Sequence, residues 1–249
     1  MRKTIITSLI LLSSIQCISQ SSRQQSWLFL NFDYKLSDKN IVALQFWNRA
    51  FYQKAYNHNL YFANIAYNHT HTVKTHFLGG VFNVMNVKED IAEVASEETK
   101  DTYTLIPWQG VSHDLFHIGK GVVGTLTRFE EHMNFSNGYD LDIRFRERLQ
   151  FRHPLSSNLS LNATTEVLIF LDEEGSEDFF NPHELRTFIG LNYHLGTKIL
   201  LEADYAIYHT RNRDNSLQYS FSNHMYMLSI DYILTPKHKD HKHHKKRHY

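Results

Sequence analysis

Cysteine is almost absent from this chain of 249 residues, and its single occurrence limits the chemistry that is available. That residue, Cys17, lies in a short apolar segment near the N-terminus. If the segment is removed on export, no thiol remains. Disulfide bridges, thiol catalysis and cysteine metal sites are then excluded, so other contacts must hold the fold together.

Long apolar runs are also missing, which excludes a membrane-spanning helix. The longest, Ile5 to Ile15, is about half of the ~20 residues that such a helix requires. It follows two basic residues and precedes several serines, which predicts a signal peptide at residues 1–19 that is cleaved after Ser19. A lipoprotein signal is the alternative, but Gln16 precedes Cys17 where such signals carry Gly, Ala or Ser.

The sequence motifs of common enzyme classes are absent. There is no glycine-rich phosphate loop, no HExxH zinc motif and no Gly-x-Ser-x-Gly element. A hydrolase acting on lipid from within a barrel wall would need a histidine, a nucleophile and a carboxylate on one rim, with His113, His117 and His132 as candidates. We therefore expect a protein that is not an enzyme, and we keep a barrel-embedded lipid-modifying hydrolase as an alternative.

Proline and glycine are scarce, whereas aromatic residues are plentiful. Four prolines, ten glycines and 14% aromatic residues are typical of a chain rich in β-strands. The mean hydropathy of −0.43 is too polar for a helical membrane protein. This objection does not apply to a membrane barrel, whose strands alternate between lipid-facing and lumen-facing residues.

The stretch from Leu141 to Arg152 predicts the architecture. One side of it is apolar apart from Glu147, with Leu141, Ile143, Phe145, Leu149 and Phe151. The other side is polar, with Asp142, Arg144, Arg146, Arg148, Gln150 and Arg152. This alternation predicts a strand between two environments. An arginine facing lipid costs about 2–4 kcal/mol, so we expect the arginines to face water or acidic partners. Glu147 on the apolar side suggests a rim position or a bulge.

Similar alternation recurs along the chain and predicts an all-β protein, an antiparallel up-and-down transmembrane β-barrel. The predicted strands are 27–36, 41–52, 60–69, 72–86, 102–113, 121–133, 141–152, 159–171, 184–195, 199–209 and 219–234. Their connections alternate between about four and about ten residues, which places tight turns on one rim and longer loops on the other. Bacterial single-chain barrels have even strand numbers, so we expect 10–12 strands, with a missed strand near Val87–Thr104 as one explanation. Both termini are then periplasmic, and the barrel domain covers residues 20–235.

Charged residues on the polar side of neighbouring strands form the candidate lumen-lining site. They are Arg128, Glu130, Arg144, Arg146, Arg148, Glu166, Arg186, Glu202 and Asp204. We expect their acids and bases to meet as cross-strand pairs. Two interpretations remain open: an ion-paired plug that stiffens a narrow barrel, or an arginine-lined constriction that selects anions.

The last residues differ from the rest of the chain in charge. Residues 237–247 carry six basic residues and one acidic residue, whereas the body without signal and tail has 18 basic and 25 acidic residues. We expect a disordered tail at residues 236–249. Its histidines, His238, His241, His243, His244 and His248, have affinity for divalent metals, and its lysines suit anionic headgroups or cell-wall polymer. We expect no cofactor and no nucleic acid, and we expect outer-membrane lipids as partners.

Several segments resemble a small outer-membrane β-barrel family of Bacteroidota, known only as a domain of unknown function. The resemblance rests on Trp27–Tyr34, Arg128–Glu130, Arg144–Arg148 and the stretch that runs from His183–Arg186 through Asn192 and Tyr193. It covers about Trp27 to Leu234, and Leu126 and His132 depart from it because further arginines are expected there. The resemblance implies the fold and an outer-membrane location, but no activity.

These observations lead us to expect an exported outer-membrane β-barrel, either structural or a small-solute pore with an arginine-rich lumen. The hydrolase is one alternative, and a soluble secreted β-barrel carrier is another. In the carrier, the apolar sides of the strands would form a closed core and the arginines would face solvent. The direction in which each side points therefore distinguishes the carrier from the two membrane barrels.

Overall fold

A computed structural model describes residues 24–52, 56–90, 102–135, 139–171, 180–212 and 215–235. The predicted signal peptide at residues 1–19 and the predicted tail at residues 236–249 lie outside the described residues. The domain boundaries assigned to them therefore stay predictions. No helix that could cross a membrane occurs within the described ranges.

Strands make up most of the described chain, and they number eleven there. They are β1 (Gln24–Lys35), β2 (Asn40–Tyr52), β3 (Tyr56–Thr70), β4 (Thr75–Asp90), β5 (Thr102–Ile118), β6 (Gly121–Asn134), β7 (Asp140–Pro154), β8 (Leu159–Leu171), β9 (Phe180–Leu195), β10 (Ile199–Asn212) and β11 (Asn215–Leu234). Each contains most of one predicted segment, so the predicted all-β barrel of 10–12 strands is confirmed. Because β4 pairs directly with β5, no missed strand lies between them in the wall.

The strands form a closed barrel through one parallel pair. β1 runs parallel to β11, with Gln24 opposite His224 and Tyr34 opposite Leu234, while each other neighbouring pair is antiparallel. In an up-and-down barrel with an odd number of strands, the first and last strands point the same way, so closure must be parallel. The expectation of an even number is therefore wrong.

Because the number of strands is odd, the barrel domain begins at one rim and ends at the other. One rim, the turn rim, carries the tight connections 36–39, 71–74, 119–120, 155–158 and 196–198. The other, the loop rim, carries connections 53–55, 91–101, 135–139, 172–179 and 213–214, of which only two are long. β1 begins at the loop rim and β11 ends at the turn rim. The expectation of two periplasmic termini requires both ends of the barrel to lie on one rim, and for the described residues this is wrong.

The strands are strongly tilted. Following the pairing register once around the barrel from Thr75 leads to Glu89 on the same strand, a stagger of 14 residues. With eleven strands this stagger corresponds to a tilt of about 45°, at the upper end of the usual range. The interior of such a barrel is narrow enough for side chains to occupy much of it.

The outer surface of the wall is mainly apolar. Exposed aliphatic side chains at its mid-height include Leu28, Leu30, Leu44, Ile65, Val81, Val111, Leu149, Ile189, Leu191, Leu228 and Ile230. Most of the exposed aromatic side chains lie nearer the two rims, with Tyr34, Tyr67, Phe77, Phe116 and Tyr193 toward the turn rim and Tyr103, Phe135, Tyr139 and Phe221 toward the loop rim, whereas Phe46 lies in the middle of β2. A mainly aliphatic band therefore lies between two aromatic girdles.

The opposite sides of the strands face the lumen, and part of the lumen surface is a group of aromatic rings that we call the aromatic wall. The aromatic wall, on β1 to β5, consists of Trp27, Phe29, Trp47, Phe62, Phe82, Ile106 and Trp108. The ring of Phe82 lies at its centre, with ring centroids 4.7 Å from Trp47 and 6.0 Å from Trp108. The expectation of a polar interior missed this wall, because these rings share the polar side of their strands and alternation alone does not separate them.

Arg128, Arg146 and Arg186 thus point inward, whereas the exposed leucines of the outer band point outward. On β7, for example, Arg146 lines the lumen, whereas Leu149 of the same strand is 53% exposed on the outer surface. This orientation is the reverse of the one that a soluble carrier requires, because the apolar outer band has no core to enter.

Candidate functional site in the lumen

Glu130 on β6 is the first centre of the lumen charges. Its side chain is fully buried, with Arg128 Nε 2.8 Å and Arg146 Nη2 3.1 Å from Oε1. Arg144 Nε donates to Oε2 at 2.8 Å, and His132 Nε2 lies 3.0 Å from the same oxygen. Arg128 and His132 are the neighbouring inward positions on β6, and Arg144 lies directly opposite Glu130 on β7. The strand alternation alone therefore assembles this cluster.

Glu166 on β8 is the second centre, and it is also fully buried. Arg148 donates to Oε2 through Nε at 2.8 Å and Nη2 at 2.6 Å, and Arg186 Nη1 donates to Oε1 at 3.2 Å. Arg148 and Arg186 are its direct neighbours on β7 and β9. Arg146 Nη1 lies 3.3 Å from Oε2, so Arg146 contacts both Glu130 and Glu166 and joins the two clusters.

Two further charged residues belong to this layer, although the sequence analysis left them out of its candidates. Glu184 on β9 accepts a hydrogen bond from Arg186 Nε at 2.8 Å. Arg49 on β2 donates from Nε to Gln25 Oε1 at 2.8 Å, and its guanidinium lies 4.7 Å from the Trp27 ring centroid. Glu184 shares the polar side of β9 with the predicted Arg186, and Arg49 shares the polar side of β2 with Gln45, which lines the lumen, so alternation was a signal that placed both on the lumen side.

Together these residues form what we call the arginine layer. It consists of Arg49, Arg128, Arg144, Arg146, Arg148, Arg186, Glu130, Glu166 and Glu184. Arginines outnumber carboxylates by two to one. Arg49 has aromatic rings and an amide as partners, and it makes no ion pair within the described ranges. Because buried charges need partners, the layer is held together tightly while its net charge remains positive.

The arginine layer lies near mid-height and separates two cavities. The loop-side cavity, of about 230 Å³, reaches Thr104 and Asn134 toward the loop rim. The turn-side cavity, of about 380 Å³, reaches Asp33 and Ala43 toward the turn rim. The two share a boundary of Trp27, Trp47, Phe82, Arg128, Arg146 and Arg186. A solute that enters from either rim therefore meets guanidinium groups and aromatic rings at the same depth.

Glu202 and Asp204 on β10 are predicted site residues that lie apart from this layer. They line a third pocket of about 300 Å³ nearer the turn rim, where Glu202 accepts a hydrogen bond from Asn162 Nδ2 at 3.3 Å. Asp204 lies over Gly190 on β9, and a Cβ at that glycine would collide with its carboxylate. Asp231 on β11 is close in height, so this sector of the lumen is acidic. The structure thus brings seven of the nine predicted residues together and separates these two.

Glu147 lies on the outer face in the middle of β7, in regular register with Thr127 and Val167. The rim position and the bulge considered for it are therefore both wrong. Thr127 Oγ1 donates to its Oε2 at 2.6 Å, and Thr125 Oγ1 donates to its Oε1. Two threonine hydroxyls on β6 thus satisfy a carboxylate that the apolar wall does not solvate.

The three histidines named for the hydrolase do not meet. His132 contacts Glu130 in the lumen, His113 contacts Thr75 Oγ1 at 2.9 Å on the outer face, and His117 lies near the turn rim. Elsewhere, His224 hydrogen-bonds to the Tyr205 hydroxyl on the outer wall, and no carboxylate of the described chain lies within hydrogen-bonding distance of that pair. No cluster suited to a metal ion occurs among the described residues. The absence of enzyme activity stays a prediction.

A family model described as a protein of unknown function, DUF2490, matches residues 24–220. The matched range begins with β1 and extends into β11, so it covers nearly the whole barrel and all of the arginine layer. Searches of curated proteins and of solved structures found no match.

Proposed function

Because the chain belongs to the DUF2490 family, for which no activity is described, we propose from its geometry that it is an outer-membrane β-barrel serving as a narrow pore for small anionic solutes. The proposal includes no catalytic step. The arginine layer is the observation that carries it, and the outer surface and the predicted signal peptide support the location.

The apolar outer surface supports a membrane location. Exposed leucine and isoleucine at mid-height, such as Leu28 and Ile65, would be unfavourable in water over so large a continuous area. An aliphatic band between aromatic girdles is typical of membrane barrels, because aromatic side chains favour the interfaces. A closed barrel also satisfies its backbone hydrogen bonds within the wall, as a lipid environment requires. Export by the predicted signal peptide is consistent with an outer membrane.

The charge of the arginine layer supports selectivity for anions. Six arginines and three carboxylates surround the narrow part of the lumen at the same depth. Rings of arginine or lysine favour anions in pores, since a cation at that position meets uncompensated positive charge. The low dielectric of the wall strengthens this preference. Arg49 contributes most directly, because it makes no ion pair with a carboxylate of the described chain.

Conductance of the purified full-length protein in planar bilayers tests the proposal. Under a potassium chloride gradient, we expect the reversal potential to have the sign of chloride selectivity. Arg49→Gln should reduce that selectivity. Arg152→Gln is the matched control, because Arg152 lies near the turn rim, is 55% exposed and pairs with Asp114. A cation-selective current, or no current from a folded barrel, would overturn the pore.

Cell fractionation tests the location separately. We expect the protein in the outer-membrane fraction, with migration on a gel that changes when the sample is boiled, as for a stable barrel. Recovery from the soluble periplasm without that change would contradict the membrane location. A known outer-membrane β-barrel protein of the same cells, followed in each fraction, is the control for the fractionation.

A second candidate function is a closed structural barrel that the arginine layer stiffens. Glu130 and Glu166 favour it, since both are fully buried and Arg146 ties them together across β6, β7 and β8. This candidate predicts no current from a correctly folded protein, together with a large loss of stability when Glu166 is neutralised. The bilayer experiment therefore separates the two candidates.

A further inference from the structure

The loop-side cavity has a strongly cationic lining. Five arginines line it, namely Arg49, Arg128, Arg144, Arg146 and Arg186, and Glu130 is the one carboxylate among its described lining residues. The arginines come from β2, β6, β7 and β9, so they approach the cavity from several sides of the lumen. Such a cavity favours a bound anion, and planar guanidinium groups match the geometry of a carboxylate.

Apart from Thr104, His132 and Asn134, the remaining lining residues of this cavity are aromatic and aliphatic. Trp27, Trp47, Phe62 and Phe82 line the cavity together with Leu60, Val84 and Ile106. The Trp47 ring lies 5.8 Å from Phe62 and 4.7 Å from Phe82 between centroids, so the rings form a continuous surface. Inorganic ions gain nothing from such a surface. A ligand with a flat apolar body gains by leaving water and by stacking on the rings.

The three tryptophans of the lumen differ in whether their indole N–H groups have an acceptor. The indole N–H groups of Trp47 and Trp108 donate to Asn31 and Asn64, each at 3.2 Å. Trp27 Nε1 is buried as well, yet within the described ranges it has no hydrogen-bond partner. An unpaired buried donor costs about 1–3 kcal/mol, so an acceptor oxygen from a ligand would be favoured there.

From these three observations we infer that the loop-side cavity binds a small organic carboxylate with an apolar body of about one ring. The carboxylate contacts the arginines and the Trp27 N–H, and the ring lies on the aromatic wall. At about 230 Å³ the cavity is smaller than the ~300–1,000 Å³ of drug-sized sites, which limits the ligand to this size. The inference rests on the proposed function, since it names the class of anion that enters the lumen.

Intrinsic fluorescence offers a direct measurement. The chain has three tryptophans, Trp27, Trp47 and Trp108, and all three line the lumen cavities. Their emission therefore reports on the lumen. We would titrate the full-length protein, in an uncharged detergent without aromatic groups, with three probes. Benzoate combines a carboxylate with a ring, inorganic phosphate carries the charge alone, and benzyl alcohol carries the ring alone.

We expect benzoate to change the emission with saturation, and to bind at least tenfold more tightly than phosphate or benzyl alcohol. Arg49→Gln should weaken benzoate binding about tenfold and leave benzyl alcohol unchanged. Trp27→Phe should also weaken benzoate, because it keeps a ring and removes the N–H, while Trp47 and Trp108 remain as reporters. Arg152→Gln is the control and should bind benzoate as the unaltered protein does.

Equal binding of phosphate and benzoate would overturn the inference, because the site would then recognise charge alone. Equal binding of benzyl alcohol, or no effect of Arg49→Gln in a variant that still shows the heat-dependent gel shift, would overturn it as well. The experiments also distinguish a failure of the proposed pore function from a failure of the proposed binding site. Saturable benzoate binding without current contradicts the pore alone, whereas anion current that benzoate does not block, with no fluorescence change, contradicts the binding site alone.

Discussion

Arg148 and Glu166 lie directly opposite each other on β7 and β8, and two nitrogens of the arginine donate to one buried oxygen of the carboxylate. We predict that Glu166→Gln strongly destabilises the barrel, by about 3–5 kcal/mol, because it leaves buried arginines without their counter-charge. Unfolding by urea in lipid vesicles measures the effect. A loss below about 1 kcal/mol would contradict the role assigned to this pair.

Two further variants make that prediction more specific. Asp114→Asn breaks the rim pair with Arg152, which is largely exposed, so its cost should stay below about 1 kcal/mol. Adding Arg148→Gln to Glu166→Gln should recover part of the lost stability, because it removes one of the uncompensated charges. A double variant that is less stable than Glu166→Gln alone would exclude charge repulsion as the cause.

The sequence predicted the walls of this barrel better than its interior. Alternation identified the strands and the inward arginines, because one pattern of period 2 determines both. Cross-strand pairs such as Arg148 and Glu166 could be expected, because both residues lie on the polar side of adjacent strands. Alternation places Arg49 and the rings of the aromatic wall on the lumen side of their strands, but it does not show which residues they contact across the lumen, so it could not predict that they belong to the site. The parallel closure of β1 on β11 also leaves no local pattern.

Glu147 offers a test of a polar cluster on the outer wall. We predict that Thr127→Val destabilises the protein by about 1–3 kcal/mol, because the carboxylate loses a donor that the apolar outer surface does not replace. Glu147→Leu combined with Thr127→Val should be close to the unaltered protein, since both partners are then apolar. Thr125 retains the Arg148 carbonyl as an acceptor at 3.0 Å in that variant. Urea unfolding of the unaltered protein, the two single variants and the double variant measures the coupling between Thr127 and Glu147. Additive losses of stability in the double variant would contradict that coupling.

Two adjacent glycines on β4 differ in what a side chain would meet. At Gly80, an added Cβ would lie 2.5 Å from the Ile65 carbonyl oxygen and 2.9 Å from Trp108 Nε1, whereas at Gly79 the nearest atom is the Trp108 carbonyl oxygen at 3.4 Å. We predict that Gly80→Ala costs about 1–3 kcal/mol, because the β3 backbone must shift, and that it changes the tryptophan emission, because the Trp108 indole must move as well. Gly79→Ala is the matched control and should be nearly neutral. Equal effects at the two positions would show that Trp108 does not depend on the space at Gly80.

The odd strand number predicts an asymmetric labelling pattern. In the outer-membrane location that we propose, single cysteines at Gln24 and Thr235 should lie on opposite sides of the membrane, because β1 begins at the loop rim and β11 ends at the turn rim. An impermeant maleimide applied to intact cells should therefore label one of them. Cysteines at Asp140, at the loop-rim end of β7, and Ser156, in a tight turn, are the controls that identify each rim. Gln24→Cys should label as Asp140→Cys does, and Thr235→Cys as Ser156→Cys does. Identical labelling of Gln24→Cys and Thr235→Cys in intact cells, with full labelling of both after lysis, would require an even number of strands and would contradict the parallel closure.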